Sequence, residues 1–393
     1  SMVKGLGIDP GTKSFDIVVV EGDKVVWEKS IETVDVARNP SLIIEAVEEA
    51  GEVDLIAGPS GYGTPLVFNE DIIDPEIFST EILLLTKKED IVKGVEHGEL
   101  GMAVYDALSK VVIEFWRREL PVCYIPSVIL LPTVPKFRKI NKLDMGTADK
   151  MAIAFLAIYD QARRLGVEYS ETSFILVEMG FGYNAVIAVD KGKIVDGFGG
   201  TLIHTGFLTI GALDAEIAVA GKVWERSDVF YGGVATITGT VDLERVVKGY
   251  LEHEEPFFTA LEAMFESIEK NVRAMLTVQK NPKEIIISGR LTRITEIRKI
   301  IEERLGDIAP VTKLKGLEGA KISKEAAQGY AAIAEGLAGG FFKELIERTG
   351  VTKAKGTVMD WIYHPRLKHA KESLRRAYEI SIGKDTLKRM GLT

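Results

Sequence analysis

The chain has 393 residues, 46% of them apolar, and a formal net charge of −9. That length suits two packed cores, and the acidic balance argues against nucleic acid as the main partner. One cysteine, Cys123, allows no internal disulfide and no thiolate cluster, which fits a reducing cytoplasm, and no apolar run reaches a membrane span.

In chain order, Val3–Ile8, Phe15–Val20 and Val25–Ser30 read as three strands, the last two joined by the turn Glu21-Gly22-Asp23-Lys24. Ser41–Ala50 has helical spacing, Val53–Ala57 reads as a buried strand, and Gly58–Gly63 is a glycine-rich loop. Gly101–Leu120 reads as a long amphipathic helix and Val122–Tyr124 as a short strand, before a stretch punctuated by Pro126, Pro132 and Pro135. Thr147–Leu165 reads as a helix, followed by strands at Phe174–Val177, Ala185–Asp190 and Lys193–Val195. Helices are expected at Ala212–Ala220, Leu243–His253, Phe257–Gln279, Thr295–Leu305 and Glu325–Ile346, with a strand at Glu284–Ile287. Alternating strands and helices predict an α/β fold with mixed sheets covered by helices. Expected divisions are a first lobe over 2–143, a second over 144–340 and a helical extension over 341–393. From Phe341 onward 12 Lys or Arg face 6 Asp or Glu, which reads as a solvated basic face. Ser1 before Met2 reads as a cloning remnant.

The opening pattern returns. GIDPGTKSFDIVVVEGDKVV, residues 7–26, lies over LVEMGFGYNAVIAVDKGKIV, residues 176–195, without a gap at a shift of 169 positions. Asp9 falls on Glu178, Gly11 on Gly180, and Lys24 on Lys193. A strand that ends in a carboxylate and turns through glycine brings backbone N–H groups close to an anion. In the first copy Gly11, Thr12, Lys13 and Ser14 offer a turn, hydroxyls and an ammonium to phosphate oxygens, and Asp9 could hold magnesium. In the second, Gly180, Gly182 and Asn184 follow Glu178, which could meet the same phosphates and metal from the opposite side. The duplication predicts two facing loops that clamp a triphosphate.

A duplicated hairpin with Asp-x-Gly-Thr resembles the superfamily of acetate and sugar kinases, heat-shock chaperone ATPases and actin. KEIIISGRLTRI, residues 283–294, is similar to that superfamily's adenosine segment, and AAQGYAAIAEGLAGG, residues 326–340, to its closing helix. MGTADKMAIAFLA, residues 145–157, resembles a segment of type III pantothenate kinases that also precedes the second hairpin. The combination of GIDPGTKSFD, GTADKMA and ISGRLTR resembles an archaeal family labelled predicted butyrate kinase. The resemblance implies a two-lobed actin-like fold built from duplicated ribonuclease H-like halves. It also implies ATP and Mg2+ as cofactors and a small-molecule phosphoryl acceptor. Ser288, Gly289, Arg290, Gly329 and Gly336 are the nucleotide contacts it adds.

Asp149, in the first turn of its helix, is the expected catalytic carboxylate beside Asp9 and Glu178. With an alcohol acceptor it would take a proton. With a carboxylate acceptor it would repel, so that Lys150 or an arginine must carry the site. Lys150, Gly200, Thr201, His204 and Arg138 are the acceptor-side candidates, with His204 also readable as a core histidine and Arg138 as part of a solvated basic loop. The alternative is a nucleotide-switched ATPase of the same fold that acts through a protein partner, and under either reading a homodimer is one option. A reductase activator would need more cysteines, and a tRNA-modifying relative a His-x-x-x-His pair that the five histidines do not supply.

Overall fold

Eleven strands form two sheets in a computed structural model that describes residues 2–393. The first half supplies β1 (Lys4–Pro10), β2 (Ser14–Glu21), β3 (Lys24–Glu32), β4 (Leu55–Ala57), β5 (Val67–Phe68) and β6 (Val122–Tyr124). The second supplies β7 (Ser173–Met179), β8 (Asn184–Asp190), β9 (Lys193–Phe198), β10 (Glu284–Ser288) and β11 (Val311–Lys313). The sheet orders are β3-β2-β1-β4-β6-β5 and β11-β10-β7-β8-β9. Apart from the extra edge strand β5, one order repeats the other, with antiparallel hairpins and parallel crossover strands in both.

The repeat extends to register. Asp9 pairs across from Asp16 and Glu178 from Ala185, a correspondence that keeps the same shift of 169 positions. The shift also carries the irregularity between Val19 and Val20 onto that between Ala188 and Val189. One extra residue there twists each hairpin in the same way. The following turns match as well, with left-handed φ values of 61° at Gly22 and 50° at Lys191.

Two helices lie between the sheets, Ala148–Leu165 and Glu325–Leu337. Both are buried over most of their length, as their small and apolar residues require. A Cβ at Gly5 would lie 2.4 Å from the Glu335 amide nitrogen, and one at Gly7 would lie 2.3 Å from that of Ala331. Glycine at these two places lets the Glu325–Leu337 helix rest directly on β1, the strand that ends at Asp9. The far end of the Ala148–Leu165 helix is fixed to β10 by Arg164, which donates two hydrogen bonds to Glu284 at 3.0 and 2.9 Å. That clamp sets where the near end presents Asp149 and Lys150.

Alternate residues of the second sheet face two cores. Phe174, Leu176, Ile187 and Ile286 join the larger core with β1, β2 and the two central helices. Ile175, Val177, Val186 and Ile285 face the Phe257–Met275 helix on the outside. The larger core therefore runs across the boundary expected near residue 144. It also takes in Leu374, Tyr378 and Ile382 from the C-terminal region, whose Lys368–Ser381 helix returns to the first half. There the Tyr378 hydroxyl donates to Thr64 Oγ1 at 3.0 Å, and the Ile73 amide donates to Ser381 O at 2.7 Å. The expected helix over 325–346 is two helices, Glu325–Leu337 and Lys343–Thr349. Gly339, at φ 90°, stops the first, a conformation that a continuous helix cannot hold. No helix among the described residues is long and apolar enough to cross a membrane.

Candidate functional site

The two hairpin loops face each other. The Lys13 ammonium lies 4.4 Å from the centre of the Phe181 ring, and a Cβ at Gly182 would lie 3.4 Å from Thr12 Oγ1. The loops share one turn, since the Gly11 amide donates to Ser14 O at 3.1 Å and the Gly180 amide to Tyr183 O at 2.9 Å. The intervening amides of Thr12 and Lys13, and of Phe181 and Gly182, donate to no protein acceptor among the described residues. Free amides on a turn, with a lysine beside them, are the donor set that an oligophosphate needs.

Asp9 is buried at the end of β1, with Lys324 Nζ 3.2 Å from its Oδ2. Burial pushes its carboxyl above the usual range, against the pull of Lys324. Across the cleft, Glu178 accepts from Ser288 Oγ and lies 3.5 Å from Lys150 Nζ. Burial works against the Lys150 charge, yet Glu178, Asp149 and Asp9 around it outweigh that and raise its pKa. Asp149 accepts from the Tyr330 hydroxyl at 2.5 Å, and burial together with nearby Asp9 raises its pKa to about 7. Glu325 stands beside Glu178, and burial raises its carboxyl too.

Among the described residues no group of three or more His, Cys, Asp or Glu side chains is placed to hold a metal ion. Magnesium does not require one. It is commonly held by one or two carboxylates while water and phosphate oxygens complete the shell. Asp9 and Glu178, with free amides next to each, fit that mode.

A second polar space adjoins the first. Asp144 is buried, accepts from the Gly146 amide at 3.0 Å, and lies within the influence of both Lys150 and Arg226. Burial raises its pKa, which the Gly146 and Thr201 amides oppose. Arg226 has buried Nε and Nη2 atoms with no hydrogen-bond partner. Its guanidinium lies 4.5 Å from the centre of the Tyr62 ring, with Tyr105 and Tyr183 also beside it. Tyr62 and Tyr105 come from the first half and Tyr183 from the second loop, so the space lies between the lobes. A Cβ at Gly200 would lie 2.3 Å from Tyr183 Cδ1, which places Gly200 and Thr201 along the same wall.

The structure thus brings together Asp9, Gly11, Thr12, Lys13, Ser14, Asp149, Lys150, Glu178, Gly180 and Gly182. Asn184 lies at the base of the second loop, buried with both amide atoms unpartnered. Arg290 is exposed after Gly289 and feels Asp16 of the first hairpin. Ser288 reaches the cleft through Glu178 instead of standing free for a nucleotide.

Four expectations change. Gly329 faces the Ala148–Leu165 helix, where a Cβ would lie 2.2 Å from Ala152 O, and Gly336 faces Phe342 and Ile346. Both serve helix packing, because the small face of their helix is turned to protein. Arg138 donates to Val195 O at 2.8 Å, near Asp196, and is not among the groups around Asp9 or Asp144. His204 is exposed and no core residue, its Nδ1 3.3 Å from Ala212 O. Arg226, Asp144, Lys324, Glu325 and Tyr330 escaped the sequence reading. Lys324 and Glu325 adjoin a segment that was recognised, whereas Arg226 lies in no motif and only the fold brings it to the cleft.

This architecture occurs in solved kinases. A propionate kinase from Francisella tularensis superposes with TM-score 0.54 at 14% identity, over 84% of this chain and 98% of that one. An acetate kinase from Porphyromonas gingivalis gives TM-score 0.53 at 15% identity over the same shares. The fold is therefore the two-lobed, actin-like fold of these kinases. In sequence, the "Probable butyrate kinase 2" of Caldanaerobacter subterraneus subsp. tengcongensis is 25% identical over 346 residues, covering 80% of this chain and 93% of the relative. The matching family model spans residues 7–364, from the first hairpin past both central helices, and the chain belongs to that family, described as Protein of unknown function (DUF1464).

Proposed function

We propose that the protein is a kinase that transfers the γ-phosphoryl group of ATP, with Mg2+, to a short-chain carboxylic acid. Kinase activity is supported by relatives named probable butyrate kinases and by the acetate and propionate kinase fold. The acceptor reading rests on one observation, the half-buried Arg226, whose Nε and Nη2 atoms are buried and have no hydrogen-bond partner. A guanidinium offers a planar fork that matches a carboxylate, and the rings of Tyr62, Tyr105 and Tyr183 supply apolar walls for a short alkyl chain.

ATP supplies the phosphoryl group and magnesium offsets its charge. Asp9 and Glu178 are the residues to hold the metal. The free amides of Thr12, Lys13, Phe181 and Gly182, with the Lys13 ammonium, are the donors for the phosphates. Arg226 would orient the acid so that a carboxylate oxygen faces the loops. A carboxylate acceptor has no proton to lose, so Asp149 need not act as a base. With its pKa raised to about 7, Asp149 is largely protonated below neutrality and repels the acid less than an ordinary aspartate would.

The test is a panel of straight-chain acids from acetate to hexanoate, with polyols and sugars as controls, assayed with Mg-ATP and hydroxylamine to trap acyl phosphate. Hydroxamate should form with one or two of the acids. Arg226→Ala should raise KM for that acid by about 100-fold, as expected for a lost charged hydrogen bond, with KM for ATP nearly unchanged. ATP hydrolysis that no acid stimulates would sink this reading in favour of the switch ATPase.

A further inference from the structure

Each carboxylate that ends a hairpin strand is matched by its own lysine, and each lysine comes from the start of a central helix. Glu178 has Lys150, in the first turn of Ala148–Leu165, at 3.5 Å. Asp9 has Lys324, the residue just before Glu325–Leu337, at 3.2 Å. The two pairs differ in how firmly they are set. Lys324 Nζ also donates to Ser14 O at 2.7 Å, so it bridges the carboxylate and the turn. Its path crosses the bare face of Gly11, where a Cβ would lie only 2.1 Å from Nζ. The backbone is fixed as well. The Lys324 amide donates to Asp16 Oδ2 at 2.7 Å, while Asp16 Oδ1 accepts from Ser14 Oγ at 2.9 Å and Ser30 Oγ at 2.8 Å. Just before it, Glu28 accepts from the Lys321 and Ile322 amides and from Ser323 Oγ. A strapped backbone with a long flexible side chain leaves only the ammonium free to move.

We propose that Lys324 is a resident counter-cation of the first loop, which occupies the cation position at Asp9 and must yield it when a divalent ion binds. The inference rests on reading this loop as a metal and phosphate site. Two cations cannot share one buried carboxylate at close range without strong repulsion. Without a phosphate ligand, the protein therefore resists a bare divalent ion. It accepts one more readily together with a polyanion, which gives the displaced ammonium new acceptors. Lys324 thus couples metal affinity to the presence of phosphate.

The experiment uses Mn2+ alone, titrated into the nucleotide-free full chain, with free Mn2+ read by electron paramagnetic resonance. Lys324→Met should bind Mn2+ on the order of tenfold more tightly than the parent, since a competing unit charge is gone. Adding Asp9→Asn to that variant should abolish the gain. Equal or weaker Mn2+ binding by Lys324→Met overturns the proposal. If that variant does not fold, the parent protein still decides the matter. Acetylation of Lys324 by an N-hydroxysuccinimide ester, read by peptide mass spectrometry, should rise several-fold at saturating Mn2+. Unchanged labelling overturns the proposal equally. No nucleotide or acid enters either measurement, so an absence of kinase activity would count against the proposed function and leave this result standing on its own.

Discussion

The two hairpins share a backbone and differ in chemistry. Strand register, irregularity and turn repeat at one fixed spacing. The first loop carries Thr12, Lys13 and Ser14, a hydroxyl and ammonium surface. The second carries Phe181 and Tyr183, with Phe181 packed on Phe207 and Tyr183 turned to the Arg226 space. Duplication preserved the scaffold while the side chains divided the work. One loop presents hydroxyl and ammonium groups, and the other presents aromatic rings that wall the adjoining space.

The sharpest way to break this contrast is to remove each strand-end carboxylate. Asp9→Ala should lower kcat/KM for ATP by about 10³-fold, because a metal anchor is worth several kcal/mol of charge stabilisation. Glu178→Gln, which keeps an acceptor for Ser288 and Lys150, should lower it only about tenfold. Equal losses would mean that the two loops play the same part. Next comes the loop surface. Lys13→Ala should raise KM for ATP by about tenfold, whereas Phe181→Ala should change it no more than about threefold. A larger effect at Phe181 would reverse the assignment.

Protonation gives a smaller, pH-dependent contrast. An aspartate in an unfolded chain titrates near 3.9, and folding raises Asp149 to about 7. Between these values the folded state binds a proton that the unfolded state has released. This group therefore lowers stability as pH rises from about 4 to about 7, and the loss is complete above that range. Asp149→Asn should flatten the decline, as judged by urea unfolding of the nucleotide-free protein at pH 5 and pH 8. A slope identical to that of the parent would show that Asp149 does not titrate in that window. The smallest expected effect on activity belongs to Gly329→Ala. It should destabilise the fold by about 1–3 kcal/mol through overpacking against Ala152 O, and should leave nucleotide affinity unchanged in whatever protein remains folded. A selective loss of nucleotide affinity would return Gly329 to the site.

Much of this was legible because repeated strands carry their own register. Continuous apolar runs, the acidic strand end and the glycine turn are local patterns, and the fixed spacing between copies implied that the loops would be equivalent. Glycines were harder to assign. Gly11 and Gly329 look alike in the sequence, yet one leaves room for a lysine and the other for a helix. Arg138 and Arg226 posed the same problem for arginines, since the side chain's neighbours decide whether its N–H groups are spent on a carbonyl or left free.

From its order of residues alone, this protein's duplicated α/β plan and its facing turns with Asp9 and Glu178 could be derived, because hairpin geometry depends on residues close in the chain. Which cations stand beside those carboxylates, Lys324 and Lys150, and which arginine is left unpaired, depended on packing. Helices from distant parts of the chain meet between the sheets, and burial there sets both the contacts and the proton affinities of the groups they bring.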